Sequence, residues 1–441
     1  MTVASAVLFG VAALCLLQSA VFRRDFFGPV SVYLFAQCTT LGIAWLRLSP
    51  LMSDWPATTW AIFVGSAVAF AAGCACARFS WSARHPSEPI PIDAPSKALL
   101  ERTNAGYDWT LHLVLTIAAF LFFCVGVYAE YRAIGTLIAL SPDISYLMSI
   151  QGSPRIWILG YPRSSGPMVC MLCAIGCFRT LNPNRGLRNA FRVLFLISLI
   201  LGTLAMPNRL SIFAVLFTTA YLFNFVVRRI RPAFIVAGVA VVFGLFVAMA
   251  NLKGQTIAMR VLNDKATWQV PYDYVANNWW NLDYAVNRRN DEAVQPRLFG
   301  LDVLHGPLEL FPGYDRIYKT YGWDGVFNEH STKVPNLNTL PYQWGLYKDF
   351  GIAGCVAGPF LFGLFFGTLF ALVRTRGSVL QLMLYAHLLF YVTFWFYDEF
   401  WSSALNTLWV AVTFLVTYVC SRRLRAEPPA DPEKAAFNQS P

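Results

Sequence analysis

The stretch Ile352-Ala-Gly-Cys-Val-Ala-Gly-Pro-Phe-Leu-Phe-Gly-Leu-Phe-Phe-Gly-Thr-Leu-Phe-Ala-Leu-Val373 decides the fold class of this chain. It contains no charged residue, and Arg374 follows it directly. The hydrocarbon core of a bilayer is about 30 Å thick and an α-helix rises about 1.5 Å per residue, so about 20 apolar residues cross it. The stretch therefore predicts a membrane-spanning helix.

Apolar runs of similar length occur along most of the chain. They predict eleven spanning helices, at 3–22, 28–46, 57–77, 108–128, 165–180, 190–206, 209–227, 233–251, 352–373, 378–397 and 402–420. The fifth is the shortest and holds two glycines and a proline. The sequence thus predicts an all-α polytopic membrane protein.

The predicted spans divide the chain into four parts. Residues 1–251 hold the first eight spans, and 352–421 hold the last three. Residues 252–351 have no spanning run but are rich in aromatic residues, unlike a disordered linker. We expect this segment to form a mainly helical loop domain packed on the bundle. Residues 422–441 read as a disordered tail.

The composition agrees with a membrane protein. Of 441 residues, 56% are hydrophobic and only 13% are charged, and the mean hydropathy is +0.49. Soluble domains carry about 25% charged residues and avoid large exposed apolar patches. This excludes a soluble enzyme, a disordered chain and a disulfide-stapled domain. The net charge of +10 alone would suit nucleic acid, anionic lipid or an anionic substrate.

The distribution of Lys and Arg predicts the orientation and accounts for that charge. Most basic residues fall in loops on one side, and the positive-inside rule places these loops in the cytoplasm. The N-terminus is then outside the cytoplasm and the C-terminus in the cytoplasm. The charge reports topology, and nucleic acid is not an expected partner. The short loops of the other side hold only Arg47, Arg132, Arg155, Arg163 and Arg209.

Cysteine and histidine do not predict a metal site. All ten cysteines lie in or beside predicted spans, and Cys170, Cys173 and Cys177 form one helical stripe that is typical of packing. No two of the five histidines have metal-ligand spacing. We expect no cofactor.

Ionisable and aromatic side chains concentrate in two stretches of segment 252–351. The first is His305-Gly-Pro-Leu-Glu309-Leu-Phe-Pro-Gly-Tyr314-Asp-Arg316, whose prolines and glycines mark turns. The second, Asn338-Thr-Leu-Pro-Tyr342-Gln-Trp344-Gly-Leu-Tyr347-Lys-Asp349, leads into the ninth span. An alternative is that Asn338 and Asp349 only terminate helices and that the rings only pack the loop onto the bundle.

Arg209 stands out in the short turn between the sixth and seventh spans. It lies on the side with few basic residues, where its guanidinium suits a phosphate group. Arg155 and Arg163 are lesser candidates for the same role. The alternative is that Arg209 anchors its helix at the interface without further function.

The chain resembles a known family of membrane enzymes. The turn ending in Arg209-Leu-Ser211, the large penultimate external loop, and Tyr347-Lys-Asp349-Phe-Gly351-Ile-Ala-Gly354 opening a span are similar to the Wzy-type O-antigen and exopolysaccharide polymerases. The resemblance implies a polytopic, GT-C-like glycosyltransferase acting at the periplasmic face of a bacterial inner membrane. The outer N-terminus would then be periplasmic. Its donor and acceptor would be undecaprenyl-diphosphate-linked glycans, and a chain-length regulator and a flippase would be partners.

The resemblance also implies roles for individual residues. His305 would be the catalytic base, with Glu309 and Asp349 as rivals. Transfer would be metal-independent. The diphosphate ligands would be Arg209, Arg316, Arg163 and Arg155, and the sugar-binding residues Tyr314, Trp323, Asn338, Tyr342, Trp344 and Tyr347. Other functions remain open: an O-antigen ligase of the same fold, a transporter of a lipid-linked or anionic substrate, or a non-catalytic scaffold. Transport is the weaker alternative because the spans hold few carboxylates and show no clear inverted repeat.

Overall fold

The computed structural model is mainly helical over the residues that it describes. It describes residues 2–21, 25–49, 53–86, 95–137, 157–205, 209–252, 269–291, 299–311, 313–314 and 339–422. These residues contain helices and no strand, which confirms the all-α class for this part of the chain.

Fifteen α-helices are numbered here in chain order. They are α1 (Val3–Val21), α2 (Pro29–Ala44), α3 (Ala57–Arg84), α4 (Lys97–Asn104), α5 (Trp109–Ile134), α6 (Trp157–Ser164), α7 (Gly166–Gly176), α8 (Arg185–Ala205), α9 (Arg209–Val226), α10 (Pro232–Leu252), α11 (Gln269–Asp291), α12 (Leu301–Glu309), α13 (Gln343–Thr375), α14 (Val379–Phe394) and α15 (Ala404–Arg422). A short 3₁₀ helix, Phe400–Ser402, precedes α15.

Six described helices are long and apolar enough to cross a membrane: α1, α3, α5, α8, α13 and α15. Helices α2, α9, α10 and α14 are apolar but shorter over the residues searched. The fifth predicted span corresponds to α7, which has 11 residues and a length of about 16 Å, too short to cross alone. The multi-pass character is therefore supported, and the count of eleven spans stays a prediction.

Local sequence signals explain where several helices begin and end. The Asp108 carboxylate accepts the backbone N–H of Leu111 at 2.8 Å and so caps α5. Gly135, with φ of 82°, ends the same helix in the left-handed conformation. At α14, Ser378 and Gln381 form a capping box.

Helices α3 and α13 pack with their backbones in close approach. A Cβ atom at Gly73 would collide with the carbonyl oxygen of Phe360, and one at Gly363 would collide with that of Phe70. Such close approach is typical of membrane helix pairs, where packing replaces the hydrophobic effect as the driving force.

A buried ion pair ties α13 to the start of α2. Arg374 Nη2 lies 2.8 Å from Asp25 Oδ2, and Asn224 donates to the same carboxylate at 3.1 Å. The Arg374 guanidinium also lies over the Phe370 ring, 4.9 Å from its centroid. This cluster closes the bundle at the end predicted to face the cytoplasm.

Helix α11 belongs to the segment predicted to pack on the bundle, and its described residues do so. Tyr272 donates its hydroxyl to the carbonyl of Ala44, at the end of α2, at 3.0 Å. The Asp283 carboxylate accepts from the Thr59 hydroxyl of α3 at 2.8 Å. The contacts fix α11 at the predicted outer end of the bundle.

Candidate functional site

A buried cluster of one lysine and two carboxylates lies at the predicted outer end. Lys348 Nζ of α13 is 2.5 Å from Asp302 Oδ1 of α12 and 3.3 Å from Glu399 Oε1 in the loop before α15. The Asp302 side chain is fully buried, and those of Lys348 and Glu399 are 4% and 13% exposed. We call these three residues the Lys348 cluster. It joins three parts of the chain that are distant in sequence.

Gly345 makes room for the cluster. A Cβ atom at this position would collide with Glu399 Oε2 and Asp302 Oδ2, the two carboxylate oxygens that do not face Lys348. Gly345 is one turn before Lys348 on α13, so helix geometry places both residues on the same face. The missing side chain lets the two carboxylates approach each other.

The electrostatics of this region favour bound protons. Burial, followed by the charge of Asp302, raises the pKa of Glu399 well above its usual range, although Lys348 opposes the shift. Burial also raises the pKa of neighbouring Asp398 from 3.8 to about 6. One lysine does not balance the three neighbouring carboxylates of Asp302, Asp398 and Glu399, so the region keeps protons that free carboxyl groups would lose.

Asp349, one of the predicted bases, caps α12. Its two carboxylate oxygens accept the backbone N–H groups of Asp302 and Val303 at 3.1 and 3.0 Å. Lys348 and Asp349, adjacent on α13, therefore both hold the start of α12. These contacts are the ones expected under the alternative in which Asp349 only terminates a helix.

Glu309, the other carboxylate predicted as an alternative to His305 as the base, also has its carboxylate at the start of a helix. Its Oε2 accepts the backbone N–H of Ala404, the first residue of α15, at 3.4 Å. The carboxylate thus lies at a helix N-terminus, where negative charge is favoured.

His305 lies one turn after Asp302 on α12. It is half-buried, and its Nδ1 is 3.2 Å from the hydroxyl of Tyr314, with ring centroids 5.6 Å apart. The structure thus brings together two residues that the sequence analysis selected. A partly accessible imidazole beside a phenol is suited to proton transfer.

Among the predicted phosphate ligands, Arg163 is described in full. Its Nη1 lies 2.7 Å from Glu130 Oε1, and both side chains are buried. Arg163 also lines a small cavity together with Ser198, Thr203 and Ser211. Arg209 is the first residue of α9, two positions before Ser211. Its side chain lies outside the described part, as do Arg155 and Arg316.

The predicted sugar-binding rings that are described lie in the core. The Tyr342 ring stacks on Trp395 at 4.6 Å, and its hydroxyl is 2.9 Å from that of Tyr33. Trp344 and Tyr347 stack on each other at 6.0 Å. These contacts are those of the packing alternative. Trp323 and Asn338 lie outside the described residues.

A metal site is not found within the described ranges, where no three His, Cys, Asp or Glu side chains are grouped to hold an ion. The metal-independent reaction stays a prediction. No family model, no curated protein and no solved structure matches this chain significantly. Function must therefore be argued from the residues and their geometry.

The sequence analysis did not select Asp302, Lys348 or Glu399 as site residues. One available signal was the acidic pair Asp398-Glu399 in a short loop between two apolar runs. Another was Lys348, a basic residue four positions before the predicted span that begins at 352. Ionisable groups so close to a membrane core are costly and are typically retained for a role.

Gly345→Ala is expected to destabilise the protein by about 1–3 kcal/mol, because the new methyl group displaces the two carboxylates. Thermal unfolding of the detergent-solubilised protein would measure it. Gly10→Ala is the matched control, since nothing lies within 4 Å of a Cβ atom there. The control should be neutral or slightly stabilising. Equal melting temperatures for wild type and Gly345→Ala would contradict the expected collision of the new methyl group with the carboxylates of Asp302 and Glu399.

Stability is expected to fall as pH rises from about 4 to about 6. Asp398 binds its proton up to a pKa of about 6 when folded, against 3.8 usually, so the folded state binds more protons in this window. Glu399 extends the decline to higher pH. Asp398→Asn should flatten the decline, because asparagine does not bind this proton. Its amide oxygen can still accept the Glu399 backbone N–H, which the Asp398 carboxylate accepts at 2.8 Å, so the local contact should be kept. Melting temperatures of the wild type and of Asp398→Asn across this pH range test the prediction. Curves that run parallel for the two proteins would refute it.

Proposed function

We propose that the chain is a polymerase of undecaprenyl-diphosphate-linked oligosaccharide repeat units, acting at the periplasmic face of the inner membrane. One observation carries the proposal: Asp302 of the buried Lys348 cluster and the half-buried His305, which contacts Tyr314, lie one turn apart on α12 at one end of an apolar helical bundle. A charged, proton-holding region beside an accessible imidazole is suited to group transfer. The resemblance of the span-opening motif to the Wzy-type polymerases supplies the reaction class.

The proposed reaction joins two glycans. A sugar hydroxyl of the acceptor attacks the anomeric carbon of the donor, forming the new glycosidic bond. The bond from that carbon to the diphosphate oxygen breaks, and undecaprenyl diphosphate leaves with the electron pair. The hydroxyl proton passes to a base. The leaving group gains negative charge, so fixed cations at the diphosphate are expected to contribute most to catalysis.

His305 is the base that the contacts favour. The carboxylates of Asp349 and Glu309 accept backbone N–H groups at helix starts, and moving either would release a cap. His305 contacts a side-chain hydroxyl instead. Imidazole also titrates near neutral pH, where a base is most effective.

Arg209 remains the first candidate for the diphosphate. Arg163 already pairs with Glu130, so its charge is largely balanced within the protein. Arg209 begins α9 beside Ser211, which lines the same cavity as Arg163. The α9 start is thus the expected position of the diphosphate, with Arg163 near it.

The decisive experiment identifies the product of the purified protein. The full chain, reconstituted in liposomes, is incubated with lipid-linked repeat units extracted from the source cells. A ladder of lengthened lipid-linked glycans supports polymerisation, and a control with heat-inactivated protein should give none. Single transfer to lipid A-core would indicate a ligase. Substrate flux without a new glycosidic bond would indicate a transporter, and neither flux nor transfer would reject all three.

A further inference from the structure

Helix α12 has its polar face inside and its apolar face outside. Asp302 is fully buried against Lys348, and Gly306 is buried as well. On the opposite face Leu304 is 52% exposed, and Phe311, just past the helix end, is 66% exposed. A surface helix in water shows the reverse arrangement, with its apolar stripe toward the core.

The exposed apolar face of α12 continues onto α13. Phe299, directly before α12, is exposed, and so are Phe350 and Ile352 on α13. A Cβ atom at Gly300 would lie 3.5 Å from the Phe350 ring, so the two segments adjoin. Farther along α13, Val356 and Leu361 are exposed within a helix that is apolar enough to cross a membrane. The patch is therefore continuous with the surface expected to contact lipid.

Helix α4 provides an internal comparison. It is also short, but its Lys97 and Glu101 side chains are exposed and form an i,i+4 ion pair, while Leu100 is buried. This is the pattern of a helix that faces water. The inverted pattern of α12 indicates that the medium outside it is apolar.

We propose that α12 is an interfacial membrane helix whose exposed Leu304, together with the exposed Leu310 and Phe311 just past the helix end, contacts lipid at the outer boundary of the bilayer. The helix has nine residues and a length of about 13 Å, which is too short to span and suits a helix lying along the interface. The inference does not depend on the proposed chemistry. It places His305, on the same helix, at the depth of lipid headgroups.

Depth-dependent quenching tests the inference. A fluorescent amino acid is placed at position 304 or 311 of the full chain, with position 101 on α4 as the control. Each variant is reconstituted in phosphatidylcholine vesicles with or without brominated acyl chains, and aqueous iodide is the opposing quencher. We expect probes at 304 and 311 to lose fluorescence in brominated lipid and to resist iodide, and the probe at 101 to behave in the opposite way.

Each other outcome would overturn the inference. Iodide quenching at 304 and 311 as strong as at 101 would show that α12 faces water. Resistance to both quenchers would show that protein covers the patch, either this chain or a second copy. Two probe positions guard against a local effect of one substitution, since both side chains are exposed.

Discussion

Replacing Lys348 by methionine is expected to lower the free energy of unfolding by about 3–5 kcal/mol, because it leaves the Asp302 carboxylate buried without its cation. Methionine nearly matches the apolar stem of lysine, so the loss reflects charge more than volume. Part of the cost is relieved by protonation, so the loss should be smaller at low pH.

A second substitution separates electrostatics from packing. Adding Asp302→Asn to Lys348→Met removes one uncompensated charge and should restore part of the lost stability. Lys97→Met is the control, because that lysine is exposed and its i,i+4 pair with Glu101 contributes about 0.3–0.5 kcal/mol. Thermal unfolding of the three variants measures these effects. A Lys348→Met protein as stable as Lys97→Met would contradict the role of the Lys348 cluster.

The helices were predictable because a membrane chain must satisfy its backbone hydrogen bonds internally. Apolar runs therefore coincide with helices, but their ends do not. The predicted third span ends at 77, whereas α3 continues to Arg84. The ninth begins at 352, directly after the kink at Gly351 that divides α13, and the more polar turns of α13 precede that kink. Hydropathy detects the hydrocarbon region and misses polar turns that continue past it. The non-helical φ of 65° at Gly351 marks that boundary within α13.

The Lys348 cluster was not predictable because its members are distant in sequence. Lys348 and Asp302 are separated by 46 positions, and Lys348 and Glu399 by 51. Their pairing depends on how three elements pack, which local patterns do not contain. His305 and Tyr314, nine positions apart, were selected together because turn residues between them favour close approach.

Aromatic residues were also hard to assign from the sequence. The sequence was equally consistent with sugar stacking and with core packing for Tyr342, Trp344 and Tyr347, because an aromatic ring can serve in either role. The structure buries all three. A buried charge requires a partner, so a wrongly placed charge is costly, whereas a ring is stable in either environment.

His305→Ala is expected to lower the rate of glycan transfer by about 10²–10⁴-fold, the usual contribution of a general base. The substitution removes the imidazole but leaves the capping contacts of Asp349 and the ion pair of Lys348 in place. Stability should therefore change little. The rate is measured from the ladder formed with lipid-linked repeat units, and the melting temperature is measured on the same preparation.

His85→Ala is the matched control, since His85 stacks on Trp81 at the end of α3 predicted to face the cytoplasm. It should retain the wild-type rate. Tyr314→Phe removes only the hydroxyl that contacts His305, and it should reduce the rate less than His305→Ala does. A rate for His305→Ala within a few-fold of wild type would reject His305 as the base. The role would then pass to Glu309 or Asp349, either of which would have to release its helix-capping contact to act as the base.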